Sequence, residues 1–513
     1  TVLKFIDFMS AYKMNTIEIY LSEDEGWRIE IAALPELTQV GSQRGHSADE
    51  SKFIQPAYGS GAEPGKSFGS GFYTRADYVE ILRYATKRHV KVIPTINVPG
   101  HSRAAIKAMQ NRYDRLMAEG DEEGALEYYL HDPNDKSVYS GAQSFNDNIL
   151  CVCKESTVKF FVTVLDEIID MYKEAEAPLE MFHSGGDEVP AGSWEKSPLC
   201  EELMKTTPEI KNARNWQAYY FKKIVKEIKD RGLLVGGWEE VAMLFNDDNT
   251  WEANPDFADG EIYPYVWNSL WGQQDLAYKL ANAGYPVVLC NVNNFYFDLA
   301  YNKDPEERGL YWGGFVDTKK AFEFIPYDLF KSMRTDPMGK PFSQSDFEGM
   351  VRLKEEAKAN IAGLQGQLWG ETINSGNDRL EYYYLPKIFG LAERAWQGQA
   401  DWGYIQDETE REAGLEKAWN EFANRVGQFE FARISQLSGG YNYRVPQPGA
   451  KIIDEKVHVN VRFPGVVVRY TTDGTEPTES SNLYTEPFST EGGEVTLKAF
   501  SPSGKTSRTI TIK

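Results

Sequence analysis

STVKFFVTVLDEIIDMYKEAEAPLEMFHSGGDEVP, residues 156–190, is the stretch that decides the fold. Residues 156–175 have the pattern of an amphipathic helix, and LEMFHSGG (179–186) follows as a short apolar strand. The strand ends in two glycines, and two acids, Asp187 and Glu188, come directly after them. The same order of helix and strand recurs along the chain, which favours a parallel sheet with helical crossovers.

Seven predicted strands each follow a predicted helix, and the pattern opens on a helix in residues 1–15. The strands are TIEIYL (16–21), VKVIPTIN (90–97), LEMFHSGG (179–186), LLVGGWE (233–239), YPYVWN (263–268), YPVVLCNV (285–292) and IAGLQGQLW (361–369). Closed barrels of this kind use eight strands, so we predict a TIM-type (β/α)8 barrel whose first strand lies upstream of Thr1. An open doubly wound sheet is the alternative, but no G-x-G-x-x-G motif follows an early strand.

The character of the sequence changes near residue 444. RVPQPGA (444–450) is linker-like, and the short alternating runs beyond it are typical of strands in an all-β module. We therefore predict an α/β barrel over residues 1–443 and a small β-sandwich over 444–513. Structural support is the expected role of the sandwich, with glycan binding as the alternative.

Composition excludes several classes of function. A net charge of −22 argues against nucleic acid and anionic membrane surfaces as partners. No apolar run is long enough to span a bilayer. Four cysteines do not make a disulfide framework in 513 residues, and no H-E-x-x-H motif, zinc-finger spacing or P-loop is present. We predict no metal and no cofactor.

The predicted site lies where strands end. In a (β/α)8 barrel the catalytic residues sit at the carboxyl ends of the strands, which is where Asp187 and Glu188 fall. Trp238, Trp267 and Trp369 close or follow other strands, near acidic residues. A tryptophan at a strand end is usually part of the core, but three on one barrel face favour a sugar pocket, because pyranose rings stack on indole and their hydroxyls pair with carboxylates.

The order of motifs makes a more specific resemblance. H-x-G-G-D-E, with P-G-H upstream and W-G-E downstream, resembles the family 20 glycoside hydrolases, the β-N-acetylhexosaminidases, over most of residues 1–400. The 450–513 tail is similar to the C-terminal β-module of some bacterial members. The resemblance implies an exo-acting enzyme that removes terminal β-linked GlcNAc or GalNAc from oligosaccharides or glycoconjugates with retention. In this chemistry the substrate's own acetamido oxygen is the nucleophile.

The resemblance also implies residue roles. Glu188 would be the general acid and then the base, Asp187 would orient the acetamido group, and Tyr296 would donate to its oxygen. The other expected residues are Trp238, Trp267 and Trp369 as walls, Asp298 and Glu371 for sugar hydroxyls, Trp312 at the next subsite, His101 with Glu23 or Asp24 as a relay behind the acid, and His183 as a hydrogen-bonding buttress of the corner.

This chain also departs from the family pattern. Members usually have histidine or tryptophan where Glu18, Ile19 and Tyr20 stand, and often aspartate where Asn97 stands. The family's sugar-gripping arginine belongs to the first strand, so we expect it upstream of Thr1 together with any export signal. A bacterial periplasmic or surface location is expected.

Two other functions remain open from sequence alone. One is a glycan-binding protein without turnover, and the other is a glucosidase with two catalytic carboxylates. The natural glycan and the oligomeric state are not predicted.

Overall fold

The computed structural model describes residues 1–66, 68–208, 210, 215–246, 250–374, 376–490 and 492–513. The chain forms two compact units. Unit 1 comprises Thr1–Val292 and Phe347–Gln365, and unit 2 comprises Asn293–Asp346 and Gly366–Lys513. The predicted boundary between residues 443 and 444 stays a prediction.

Unit 1 is built around a curled, parallel sheet of seven strands. Their spatial order is their order in the chain: Thr16–Tyr20, Lys91–Thr95, Met181–His183, Leu234–Trp238, Ile262–Val266, Val287–Leu289 and Ile361–Leu364. All seven predicted strands are present, with trimmed ends, and the predicted barrel-type fold is confirmed. The strand expected upstream of Thr1 stays a prediction.

Helices join most of these strands in unit 1. The helix Val2–Ala11 precedes the first strand, the crossovers are Arg75–Thr86, Glu155–Ala175, Asn215–Lys229 and Leu276–Asn282, and further helices are Glu36–Gln39, Arg103–Glu119, Glu122–Glu127 and Pro198–Met204. The helix Glu155–Ala175 buries one face, which includes Phe161, Val164 and Ile168, and the ring of Phe161 packs edge-on against Phe182 of the third strand. The strands at Ile262 and Ile361 follow short 3-10 turns, Pro255–Phe257 and Glu355–Asn360, where the sequence predicted helices.

Two features of unit 1 differ from expectation. The polar stretch 98–150, where the sequence predicts no element, contains the 17-residue helix Arg103–Glu119, whose seven buried residues include three alanines and an arginine and so give a weak apolar signal. In addition, Cys153 is disulfide-bonded to Cys200, 47 residues away. Such a pairing depends on tertiary contact and cannot be read from spacing.

Unit 2 combines helices with two antiparallel sheets. Its helices are Thr318–Phe322, Gly376–Tyr384, Lys387–Gln397, Glu408–Arg425 and Phe431–Ile434, and the short helix Val292–Phe295 joins the units in sequence. Pro386 separates the helices Gly376–Tyr384 and Lys387–Gln397. One sheet contains Gly449–Ile453, Lys456–Asn460 and Phe488–Ser489, and the other contains Asn482–Leu483, Val467–Thr471, Val495–Phe500 and Ile510–Ile512. The predicted all-β character of this region is confirmed. Of the helices in the described residues, none is both long and apolar enough to cross a membrane.

Candidate active site

The corner after the third strand, Met181–His183, carries the two adjacent acids in unit 1. Gly185 and Gly186 have φ of +70° and +107°, and Glu188 itself has a φ of +54°. A Cβ on Gly185 would lie 1.9 Å from Asn97 Oδ1, so only glycine fits there. A glutamate in the left-handed region is strained, and such strain is typical of residues whose position matters for function.

His101 lies between two pairs of carboxylates. Its Nδ1 is 3.3 Å from Glu23 Oε2 and 3.3 Å from Asp24 Oδ2. Its Nε2 is 3.2 Å from Glu188 Oε2 and 3.6 Å from Asp187 Oδ2. The imidazole and Asp24 are buried, and Asp187 is nearly so, whereas the side chains of Glu23 and Glu188 are partly exposed.

Charge and burial shift the pKa values of His101, Glu23 and Asp187. Burial alone would lower the pKa of His101, but the carboxylates of Glu23 and Asp187 raise it well above its ordinary value. Burial raises the pKa of Glu23 to about 8, with His101 opposing the shift. Burial also raises the pKa of Asp187 to about 6, while His101 and a hydrogen bond from Asn97 act in the opposite direction. A protonated His101 is therefore the favoured counter-ion of the cluster near neutral pH.

Of the two acids that face Nδ1 of His101, Asp24 is the one held in place by further hydrogen bonds. It is fully buried, and it accepts hydrogen bonds from the backbone N–H of Arg103 at 3.1 Å and from Asn148 Nδ2 at 2.9 Å. Glu23 is more exposed, and it lies in a two-residue strand that pairs with Gly26–Trp27. The hairpin thus brings two acids to one histidine.

His183 and two of the predicted tryptophans, Trp238 and Trp267, lie at neighbouring strand ends of unit 1. His183 is fully buried, and its Nδ1 accepts the backbone N–H of Gly185 at 3.2 Å. Burial lowers its pKa, so it is neutral near pH 7. The ring of Trp238 packs edge-on against His183, with centroids 5.3 Å apart. Trp267 is 8% exposed and follows the fifth strand.

Several site residues were not predicted from sequence. Asn97, noted only as a departure from the family, donates from Nδ2 to Asp187 Oδ1 at 2.9 Å. Glu239 accepts the backbone N–H groups of Trp267 and Asn268 at 3.1 and 3.2 Å, which fixes the end of the fifth strand. Its pKa is raised to about 8 by burial. Gln217 Nε2 donates to the Gly186 carbonyl at 2.6 Å. The position of Glu239 beside Trp238, at the end of a predicted strand, could have identified it as a site residue.

Unit 2 contains a second group of predicted residues. Tyr296, which is 4% exposed, packs edge-on against Trp312 with ring centroids 5.8 Å apart. Trp369 also lies near Tyr296, at a centroid distance of 6.5 Å. Trp312 is 41% exposed, so the cluster runs from a buried phenol to an open indole.

Asp298 is the buried acid of this second group. Its Oδ1 accepts the backbone N–H of Trp369 at 3.3 Å, while its Oδ2 is buried without a hydrogen-bond partner among the residues that the structure describes. Burial and then the nearby Glu371 raise the pKa of Asp298 to about 7. The buried Lys387 Nζ donates to the carbonyls of Phe297 and Leu299, at 2.8 and 2.6 Å, and so clamps the backbone on either side of Asp298.

Two trios in unit 1 bring possible metal ligands within 4.8 Å of one another: Glu23, Asp24 and His101, and His101, Asp187 and Glu188. Both share His101. The absence of a metal requirement stays a prediction.

Comparison with known proteins gives the family. Residues 1–399 match the glycosyl hydrolase family 20 catalytic domain, and residues 430–509 match the chitobiase/beta-hexosaminidase C-terminal domain. The chain belongs to glycosyl hydrolase family 20. The resemblance drawn from the H-x-G-G-D-E, P-G-H and W-G-E motifs is confirmed.

Relatives of this family 20 chain include a beta-hexosaminidase of Vibrio vulnificus, 37% identical over all of this chain and 60% of its own length. An N,N'-diacetylchitobiase of Vibrio harveyi is 35% identical, with 100% of this chain and 60% of its own length covered. The chain thus spans about 60% of the length of these relatives.

Solved structures of family 20 proteins have the same fold. An exo beta-N-acetylglucosaminidase of Vibrio harveyi, solved with N-acetylglucosamine, has a TM-score of 0.62 and 27% identity, covering 86% of this chain and 56% of its own. A beta-N-acetylhexosaminidase of Bacteroides fragilis has a TM-score of 0.52 and 24% identity over 82% of this chain and 67% of its own.

The predicted residues of this family 20 chain fall into two groups. The first is in unit 1, where Glu23, Asp24, His101, Asp187 and Glu188 meet, with His183, Trp238 and Trp267 at neighbouring strand ends. The second is in unit 2, where Tyr296, Trp312 and Trp369 pack together and Asp298 and Glu371 interact electrostatically. The roles assigned to them stay predictions.

Proposed function

We propose that this chain carries the catalytic machinery of a β-N-acetylhexosaminidase, which hydrolyses terminal β-linked GlcNAc or GalNAc from the non-reducing end of glycans. The observation that carries the proposal is the His101 imidazole, which contacts the Asp187–Glu188 corner through one nitrogen and a second pair of acids through the other. An acid-rich cluster with one cationic centre suits proton transfer beside a developing positive charge.

The proposed reaction uses the acetamido group of the substrate. Its carbonyl oxygen attacks C1 as Glu188 protonates the glycosidic oxygen, so the bond to the leaving alcohol breaks and an oxazolinium forms. Asp187 accepts the acetamido N–H and balances the positive charge. Water then attacks C1, Glu188 takes a proton from that water, and the oxazolinium ring opens to give the sugar product with the β configuration retained.

His101 supports this sequence through charge. With the imidazole protonated, Asp187 can remain ionised although it is only 8% exposed, because a buried carboxylate needs a nearby cation. His101 Nε2 is also 3.2 Å from Glu188 Oε2. The same imidazolium can therefore stabilise the negative charge that forms on Glu188 when it gives up its proton, until Glu188 regains it.

Sugar recognition is assigned to the group in unit 2. We assign Tyr296 to the acetamido oxygen, and Asp298 Oδ2, which is buried and without a partner in the described residues, to a sugar hydroxyl. Trp369 and Trp312 offer indole faces to the ring and to the next sugar.

An extracytoplasmic location belongs to the same proposal. The Cys153–Cys200 disulfide supports it, because disulfides persist in oxidising compartments and are rare in the reducing cytosol. Fractionation of the native host with an antibody against this chain should find it outside the cytoplasm. Recovery with cytosolic markers would contradict this part.

The activity is tested with paired chromogenic substrates. We expect hydrolysis of an aryl β-GlcNAc, release of the β anomer first by proton NMR, and inhibition by an oxazoline-mimicking thiazoline. An aryl β-glucoside should be cleaved at least about a hundredfold more slowly, because it lacks the nucleophile. Equal cleavage of the two substrates would point instead to a two-carboxylate glucosidase, and sugar binding without any cleavage to a glycan-binding protein.

A further inference from the structure

Asn97, which follows the second strand, uses every polar atom it has. It is 1% exposed. Its backbone N–H donates to Ser22 Oγ at 2.9 Å, and its carbonyl accepts from Ser102 Oγ at 3.0 Å. Its side-chain Oδ1 accepts the N–H of Gly186 at 3.0 Å, and Nδ2 donates to Asp187 Oδ1 at 2.9 Å. A side chain held at both ends in this way is fixed in position.

The orientation of this amide follows from its partners. A backbone N–H can only donate, so the atom that faces Gly186 must be Oδ1. Nδ2 is then the atom that faces the Asp187 carboxylate. The hydrogen bond to Asp187 is therefore charge-assisted whenever Asp187 is ionised, and such bonds are about twice as strong as neutral ones.

The same amide leads to the tryptophan of the fourth strand. Nδ2 of Asn97 also donates to the Tyr20 hydroxyl at 3.0 Å, and Trp238 Nε1 donates to that hydroxyl at 2.6 Å. Tyr20 belongs to the first strand, so three strands of the sheet are joined by this network. Both Tyr20 and Asn97 stand where the chain departs from the usual family pattern.

We propose that Asn97 is a positioning residue that orients the Asp187 carboxylate and favours its ionised form. Tyr20 links Asn97 to Trp238, so that the Asp187 carboxylate and one wall of the acetamido pocket are held as a single rigid element. This rests on the proposed function, in which Asp187 orients the acetamido group. An amide suits the task because it cannot titrate. A carboxyl group at position 97 would face another carboxyl at hydrogen-bond distance, and the two would have to share a proton.

The surroundings of Asp187 make this contact important. His101 is the cation that faces it, while Glu188, Glu239 and Glu240 are acids whose charges oppose its ionisation. Among these neighbours Asn97 supplies a neutral donor that favours the ionised form. It also sets the direction of the carboxylate, which the imidazole at 3.6 Å does less tightly.

The test is a double-mutant cycle that exchanges the side chains of residues 97 and 187. Asn97→Asp keeps the size of the side chain and an acceptor for Gly186, but it replaces the amide donor with a carboxyl group that must share a proton with Asp187. We expect kcat on an aryl β-GlcNAc to fall about 10- to 100-fold, the effect of losing a hydrogen bond to a charged group, with KM changed less than threefold. In an Asp187→Asn background, Asn97→Asp re-forms the hydrogen bond with reversed polarity, so it should cost less than a further threefold.

Controls separate positioning from folding. Asn254→Asp is the matched variant, because buried Asn254 caps the turn at Pro255–Phe257 and aspartate caps equally well. It should leave kcat within twofold. Tyr20→Phe should lower kcat by about three- to tenfold while the midpoint of thermal unfolding stays within a few degrees, because two neutral hydrogen bonds to the hydroxyl are lost.

Two results would overturn the inference. Equal losses from Asn97→Asp in the two backgrounds would show that Asn97 does not act through Asp187. An unchanged kcat in Tyr20→Phe would remove the coupling to Trp238. Failure of the proposed function has a different signature, because Asp187→Asn alone would then retain more than a third of the wild-type activity.

Discussion

The acid group of unit 1 and the aromatic group of unit 2 are built on different principles. In the first, His101 and its four carboxylates are linked by ionic contacts of 3.2–3.6 Å. In the second, Tyr296, Trp312 and Trp369 are linked by ring contacts with centroids 5.8–6.5 Å apart, and a single buried acid, Asp298, lies close in sequence. The centre of each group, His101 or Tyr296, is buried, but the second group ends in Trp312, which is 41% exposed.

This difference indicates how the work is divided in the proposed mechanism. Charges in a shielded cluster interact strongly, so small changes there alter the energy of proton transfer. Exposed rings bind sugar faces by contact area, so changes there weaken binding without altering the chemistry. Substitutions in the acid group should therefore act on kcat, and those at the outer aromatic edge should act on KM.

Glu188→Gln should have the largest effect. Glutamine cannot donate a proton to the glycosidic oxygen, and we expect kcat to fall about 10²- to 10⁴-fold, the usual contribution of a positioned general acid. Steady-state hydrolysis of an aryl β-GlcNAc measures this. Glu195→Gln, at an exposed position seven residues further on, is the matched control and should be silent. A loss below threefold for Glu188→Gln would contradict its assignment.

His101→Gln should follow, with a loss of about 10- to 100-fold, because four acids lose their shared cation. Stability gives a second readout. The folded-state pKa of His101 is raised, so its contribution is fully present below about pH 6.5, the unfolded value, and is lost as pH rises through the folded pKa. The decrease in the midpoint of thermal unfolding should therefore be larger at pH 6 than at pH 9. The opposite order would show that His101 is neutral in the folded protein.

The fold could be predicted from sequence because its signal is local and repeated. Each amphipathic helix followed by a short apolar strand, as in residues 156–186, carries its own evidence. The acids could be predicted because they lie next to one another and just past a strand. Asn97 could not be predicted as a partner of Asp187, because that contact depends on the register in which Thr95 pairs with His183 across the sheet.

The same reasoning explains the other differences. The bond between Cys153 and Cys200 and the capping of the Asp24 carboxylate by Asn148 join residues that are far apart in the chain. Periodicity and motif spacing report on neighbours in sequence, whereas these contacts arise only when loops pack. The helix Arg103–Glu119 was not predicted for a different reason, since its buried face includes an arginine and three alanines, which contribute little to an apolar pattern.

Asp298→Asn tests the buried acid of the aromatic group. We expect activity to fall about tenfold, because a charged acceptor for a sugar hydroxyl is lost. Stability should rise, since burial raises the folded pKa of Asp298 to about 7 and its ionisation therefore destabilises the fold. Because the unfolded pKa is about 4, the destabilisation grows as pH rises from about 4 to 7.

The midpoint of thermal unfolding should thus increase more at pH 8 than at pH 5 for Asp298→Asn. At the higher pH the gain in unfolding free energy should be on the order of 1–3 kcal/mol. The amide side chain introduced by this substitution keeps an acceptor for the Trp369 N–H, so the local fold is retained. A variant that is less stable at both pH values would show that the ionised carboxylate is paired in the folded protein.

Trp312→Ala should have the smallest effect and the clearest signature. The indole is 41% exposed and contacts Tyr296 edge-on, so its removal takes away contact area for the sugar next to the scissile bond and leaves the acids untouched. We expect KM for N,N'-diacetylchitobiose to rise about three- to tenfold, the loss of a stacking contact, with kcat within twofold. Trp396→Ala removes a more exposed indole, 69% accessible, from a helix end in the same unit and is the matched control. If Trp312→Ala instead lowered kcat as much as His101→Gln does, ring contacts would be part of the chemistry, and the division between the two groups would be wrong.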